Sequence, residues 1–327
     1  MKTRQLPSTN DPPILTVGLQ RLIDGWILTN EVSNCSPRTI EKRKLLLSKF
    51  LWFLRDREIA EIDRMACRNF LHYVSHGHKE AGGRWGAGWT RETKPSTVNS
   101  FHGTLRAFFN WYREEEDRDS SPMDKVEPAI NRDDQIQPFS DDQVDRLLRA
   151  AAASNHPKRD RAILLFLLDT GVRVSELCDM KLCDLDMMGY GATVTGKGDK
   201  TRRIQFGKNA KKALWQYLHA RPHDPDEPLF IAEGGHNSGE ELRPNGVLQM
   251  IRRLGKAAGI EGVRCSPHTF RHTFSIYFLR NGGNQFTLMT LLGHTSLDMT
   301  KRYVAIAQAD VVAQHRQHSP VDRMMRK

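Results

Sequence analysis

The sequence predicts a mainly α-helical chain with one small β-sheet, arranged as two successive regions. Three observations predict it. Apolar residues recur at helical spacing through most of the chain. A single stretch, residues 191–207, alternates apolar and polar residues around a glycine turn. A polar, proline-bearing stretch without periodicity separates the first region from the second. The length of 327 residues and a hydrophobic content of 39% suit two cores of ordinary size.

Residues 1–13 are polar and read as a flexible tail, and a helical region over 14–120 comes next. "ILTVGLQRLIDGWILTN" carries apolar residues at helical spacing. "SPRTIEKRKLLLSKFLWFLRD" opens with Ser36 as N-cap and Pro37 at the first helical position. Ile40, Leu47, Phe50, Leu51 and Leu54 make its core stripe, with Arg38, Lys42, Arg43 and Lys49 largely off it. "DRMACRNFLHYVSH" is a third helix. "STVNSFHGTLRAFFNWYREEE" is a fourth, with Ser96 as its cap. Between the last two, "GHKEAGGRWGAGWTRETKP" reads as a loop mixing aromatic and basic residues, among them Arg84, Arg91 and Lys94. Residues 121–138 read as an interdomain linker.

The second region, 139–303, starts with the amphipathic "SDDQVDRLLRAAAAS", whose acidic first turn suits a helix dipole. "RDRAILLFLLDTG" is apolar on nearly all sides, so it reads as a buried helix ended by Gly171. "GATVTGKGDKTRRIQFG" is a hairpin turning at "GKGD". The remainder is helical, and residues 304–327 form a tail.

A net charge of +10 points to a polyanionic partner, nucleic acid before an anionic membrane surface, although a merely basic soluble chain has the same composition. No apolar run approaches the roughly 20 residues of a membrane span, and the polar start lacks a signal-peptide core. The five cysteines, Cys35, Cys67, Cys178, Cys183 and Cys265, are odd in number and scattered. None has a partner at metal-ligand spacing, so they read as reduced thiols in a cytoplasmic protein without a metal or other cofactor.

Four places carry residues suited to phosphate chemistry. In "TGVRVSEL", Arg173 stands where a new helix begins, a position fit for an anion, with Glu176 three residues on. Lys197 sits between glycines in the hairpin turn. In "SPHTFRHTFSIYFL", Ser266 caps a helix on which His268 and Arg271 share a face, apart from a core stripe of Phe270, Phe274, Tyr277 and Phe278; His272 lies at the flank of that stripe and reads as structural. In "LLGHTSLDMTKRYV", a helix stops at Gly293, His294 comes next in the turn, Thr295 or Ser296 caps a new helix, and Tyr303 lies about two turns into it. Each alone has an ordinary surface or core reading. Together they gather cations without an acidic cluster. Such a set can neutralise a phosphoryl transition state without a metal, beside a phenol that a cationic pocket would help ionise and that can attack phosphorus.

The ordered set Arg173, Lys197, His268-x-x-Arg271, His294, Tyr303 resembles the tyrosine recombinase family, or phage-type integrases, over residues from about 139 to the end. The helical N-terminal region resembles that family's core-binding (SAM-like) domain more loosely. The resemblance implies Tyr303 as nucleophile on a DNA phosphate, giving a 3′-phosphotyrosyl link and a 5′-hydroxyl. It implies Arg173 and Arg271 on the non-bridging oxygens and Lys197 as proton donor to the departing oxygen. His268 would assist proton transfer, His294 would hydrogen-bond the phosphate, and Glu176 would orient Arg173. It further implies a clamp around double-stranded DNA; the basic helix-face residues Arg38, Lys42 and Arg43 and the loop residues Arg84, Arg91 and Lys94 read either as solvated surface or as contacts to its backbone. Strand exchange would pass through a Holliday junction in a homotetramer, with residues 304–327 docked on a neighbouring protomer. A type IB-like topoisomerase and a catalytically inactive DNA-binding protein are the competing readings.

Overall fold

The computed structural model describes residues 11–79, 82–130, 137–196, 200–219, 224–234, 238–294, 300–301, 303–304, 315 and 319–325. Residues 1–10 of the expected tail, Lys197, the expected caps Thr295 and Ser296, and most of residues 304–327 lie outside them. The chain is mostly helical with a three-stranded sheet and divides into two compact units, residues 1–134 and 135–327.

The first unit is a helical array: α1 (Leu19–Val32), α2 (Pro37–Asp56), α3 (Arg64–Ser75) and α4 (Pro95–Glu115). Ser36 caps α2 by accepting a hydrogen bond from the Thr39 amide, and Asp63 caps α3 through the Ala66 amide. Ser96 is not a cap: α4 starts at Pro95, whose fixed φ and missing N–H suit the first helical position, with Lys94 ahead of it. The core is aromatic. Phe50 meets Phe70 edge-on at 4.9 Å, and Phe108 meets Phe109 at 5.0 Å.

Part of the expected linker belongs to this unit instead. Met123 and Val126 are buried in the same core; His102 Nε2 hydrogen-bonds the Val126 carbonyl at 2.7 Å, and the Asn99 side chain brackets Ala129 through its N–H and carbonyl. Asp11 is also ordered, accepting from the amides of Asp119 and Ser120. Polar composition concealed two apolar anchors and an acceptor placed to bind exposed amides.

The second unit is built on α6 (Pro157–Thr170), which buries Ala162, Ile163, Leu164, Phe166 and Leu167. Around it come α5 (Asp141–Ala152), α7 (Val174–Asp179), α8 (Lys208–Leu218), α9 (Pro244–Ala257), α10 (Pro267–Arg280) and α11 (Gln285–Leu292). The sheet runs β1 (Leu185–Asp186), β2 (Gly191–Gly196), β3 (Lys200–Gln205), all antiparallel. Strand β1 was not foreseen; two residues are too few to show alternation. Phe139 is fully buried, and its amide donates to Thr273 Oγ1, fixing the start of the unit on α10.

The stripe of α10 differs from expectation. Phe270, Ile276 and Leu279 are buried, whereas Phe274, Tyr277 and Phe278 are only partly so. The face that packs hardest is defined by small and polar Thr273 and Ser275 as well as by apolar residues, because their hydroxyls bond back to the Thr269 and Arg271 carbonyls.

Candidate active site

The α6–α7 junction forms one wall. Helix α6 ends at Gly171 in the left-handed region, φ 60°. A Cβ on Gly171 would stand 2.3 Å from the Phe274 ring, so glycine is demanded twice, by conformation and by space. Two residues on, Arg173 caps α7 and faces Glu176. The Arg173 amide donates to Glu176 Oε2 and its Nη1 to Oε1, both at 2.8 Å. The Arg173 side chain keeps about a third of its surface open.

Arg271 of α10 forms the floor and is almost completely buried. Its Nη1 donates to the Gly171 carbonyl at 2.7 Å. Its Nη2 donates to the Leu292 carbonyl at 2.8 Å and to His294 Nε2 at 3.0 Å. Loss of water, then the nearby Arg173 charge, lower its pKa to about 10, which leaves it cationic at neutral pH. Because a guanidinium only donates, His294 Nε2 accepts. Nδ1 therefore carries the ring proton and donates to Thr300 Oγ1 at 3.0 Å. Desolvation first, then the charges of Arg271, Arg173 and Arg202, push the His294 pKa down to about 4, so the ring is neutral. His268 is lowered too, by desolvation and then by Arg271, Arg264 and Arg173.

Tyr303 is buried between two imidazoles. Its ring lies nearly parallel to His294, centroids 6.4 Å apart, and its hydroxyl hydrogen-bonds His272 Nδ1 at 2.9 Å. His272, read from the sequence as structural, thus contacts the Tyr303 hydroxyl directly. The available signal was its position directly after Arg271 and one turn after His268, which aligns it with the site's face of α10.

Arg202 of β3 is the second residue missed. It forms a fork on Glu176, Nη1 to Oε1 and Nη2 to Oε2, each 2.8 Å, while Nε donates to the Leu291 carbonyl at 2.8 Å. Burial pushes the Glu176 carboxyl up. The hydrogen bonds from Arg202 and Arg173, with the Arg202 charge, outweigh this and hold it near 2.

The structure therefore brings Arg173, Glu176, Arg271, His294 and Tyr303 together, with Arg202 and His272 added. Lys197 lies outside the described residues, directly after Gly196, whose Cβ position is 3.2 Å from Glu176 Oε1. Among the described residues no group of three or more His, Cys, Asp or Glu could hold a metal, and no helix is long and apolar enough to cross a membrane.

In the first unit Arg38, Lys42, Arg91 and Lys94 are exposed. Arg84 is not a surface contact: it is buried, and its Nη2 donates to the His76 and Arg91 carbonyls, bracing the loop. Arg43 is half-buried, stacked over Trp26 at 4.8 Å and bonded to Asn30, so it ties α2 to α1.

Comparison with known proteins converges on one family. The profile of the phage integrase family matches residues 138–310. The tyrosine recombinase XerC of Staphylococcus carnosus is 31% identical over 244 residues, 72% of this chain and 80% of that one. The tyrosine recombinase XerD of Listeria innocua is 28% identical over 294 residues, 87% and 93% of the two chains. In fold, the chain is similar to the Tn1549 transposon integrase in complex with transposon right end DNA (TM-score 0.69, 18% identity, 94% and 100% covered). It is also similar to a lambda integrase dimer bound to a core site (TM-score 0.66, 18% identity, 86% and 96% covered). With more than half its length matched by the family profile, and its arginines, histidines and tyrosine gathered at one site, the chain belongs to the phage integrase family of tyrosine recombinases.

Proposed function

We propose that the protein is a site-specific DNA recombinase in which Tyr303 attacks a scissile phosphate. The phenolic oxygen forms a 3′-phosphotyrosyl bond as the bond to the 5′-oxygen breaks, and that oxygen leaves as a hydroxyl after taking a proton from Lys197. Arg173 and Arg271 hold the non-bridging oxygens, a task suited to a planar fork of donors. His268 assists proton transfer, His294 contributes to phosphate binding, and Glu176 orients Arg173. Rejoining reverses the same steps on a new strand, so the phosphodiester energy is kept and neither ATP nor a metal is consumed. The reaction proceeds on two duplexes in a homotetramer through a Holliday junction, with residues 304–327 exchanged between protomers. The helical first unit binds duplex backbone through Arg38, Lys42, Arg91 and Lys94.

The observation that carries this reading is the placement of Tyr303 within one hydrogen-bonded cluster. It stacks on His294, and His294 is bonded to Arg271. In that position the phenol, bonded to His272, lies in the same cluster as the arginine that would hold the phosphate.

The test is covalent capture on a nicked duplex bearing the recombination site, where the released fragment cannot religate. Wild type should give a protein–DNA adduct and Tyr303→Phe should bind the DNA but give none. An adduct with the Phe variant would refute the assignment.

A further inference from the structure

Arg202 is chemically unlike the other cations of the site. Its Nε and both Nη atoms are engaged, on Leu291 and on the two oxygens of Glu176, and its side chain is only 13% exposed. Three of its five N–H groups are so committed, two of them to a carboxylate, and little of the guanidinium is open to a ligand. Yet Glu176, 2% exposed, receives four donors at 2.8 Å, two from Arg202 and two from Arg173. The carboxylate is therefore shared between a largely buried arginine, Arg202, and one about a third open, Arg173.

Arg202 also reaches the turn before His294. Its Cδ lies 3.2 Å from the Cβ position of Gly293, whose left-handed conformation (φ 62°) ends α11. The Arg173 Nη2 approaches the Gly293 carbonyl at 3.5 Å. One side chain on β3 thus fixes α7, through Glu176, and the C-terminus of α11, through Leu291.

We infer that Arg202 is a positioning residue for the strand-cleavage reaction: it anchors Glu176 so that Arg173 is held toward the scissile phosphate. This rests on the phosphoryl-transfer reading above. Without Arg202, a carboxylate that two guanidiniums divide would fall to Arg173 alone. It would then take a bidentate grip on that residue's Nη atoms and draw its donors away from DNA. The local charge would also fall by one unit, since Arg173, Arg202 and Glu176 sum to +1 and Arg173 with Glu176 to zero.

The experiment compares wild type with Arg202→Ala and Arg202→Lys on three nicked duplexes. One has the natural phosphate, one an uncharged methylphosphonate at the scissile position, and one a sulfur in place of the 5′-bridging oxygen. A displaced Arg173 should slow adduct formation about 100-fold on the natural substrate while DNA affinity is unchanged. The methylphosphonate, which needs less positive charge, should restore much of the rate. The sulfur leaving group, which needs no proton, should not. Arg202→Lys keeps a charge but cannot span both oxygens and Leu291, so it should show the same pattern in a folded protein even if the Ala variant unfolds. Wild-type rates in the Lys variant, equal loss on all three substrates, or rescue by sulfur alone would each overturn the inference. Failure of wild type to form any adduct would instead sink the phosphoryl-transfer reading, and this inference with it.

Discussion

His294 should make the protein measurably acid-sensitive, and by an amount that can be isolated. Its ring is buried, its Nε2 accepts from Arg271 and its Nδ1 donates to Thr300. A proton added to Nε2 would face the Arg271 guanidinium directly. The folded-state pKa of about 4 lies below the ordinary 6.5. Between those values the unfolded chain binds the proton and the folded chain does not, so stability falls as pH falls through that window and is unaffected above it. Such a shift costs about 2.5 kcal/mol of unfolding free energy by about pH 4.5. Replacing His294 with Asn keeps a donor and an acceptor but removes the titration. Denaturant unfolding of both proteins at about pH 7 and about pH 4.5 then gives a difference of differences. His268 titrates in both and cancels. Glu176, held near 2, loses its contribution only as pH falls from about 4.5 toward 2, mostly outside the interval. If wild type and His294→Asn lose equal stability over the interval, the buried, Arg271-bonded neutral ring is not the group responsible.

Gly171→Ala forces a Cβ into the Phe274 ring and a left-handed φ on alanine. Overpacking and backbone strain together should cost about 2–4 kcal/mol in denaturant unfolding, and adduct formation should fall as well, because the Gly171 carbonyl holds Arg271. A loss under about 1 kcal/mol would show that the junction relaxes freely. A chelator should leave wild-type cleavage intact, since the guanidiniums supply the charge a metal would. DNA affinity should fall steeply with added salt; cleavage that stops with chelator, or binding indifferent to salt, would contradict the charge argument.

The elements that announced themselves in sequence did so through strong local rules. Ser36 before Pro37 is a cap that needs no tertiary help, and Gly171 and Gly293 end their helices in the left-handed conformation glycine adopts freely. Arg173, Arg271, His294 and Tyr303 were legible because each sits beside such punctuation or on a capped helix. Arg202 was harder: "KTRR" looks like solvated charge. Strand alternation does place Arg202 on the face of Ile204, which is fully buried, and opposite Val194. An inward-facing arginine demands a buried acid, and Glu176 was already in view. Arg84 misled for the converse reason. Its loop is rich in glycine and charge, and nothing local shows that the guanidinium turns inward to two carbonyls.

The resting cluster also says how the site can be rigid and still receptive. Three of the five N–H groups of Arg271 are committed to the Gly171 and Leu292 carbonyls and to His294, which leaves two to meet a ligand. The carbonyl contacts fix the plane of the fork before any DNA arrives, so little side-chain entropy remains to be lost on binding. In the proposed reaction the contacts that phosphate would displace are weaker ones, between Arg271 and a neutral imidazole and between Tyr303 and His272. A phosphate oxygen between Arg173 and Arg271 offers charge-assisted bonds, roughly 1.5–3 kcal/mol each against about 1 for a neutral pair. Its negative charge also raises the proton affinity of His294, reversing the cause that depressed it. Phosphate binding can then convert His294 from an acceptor of Arg271 into a donor to the oxyanion, so the ring should take up its proton when the substrate arrives rather than before.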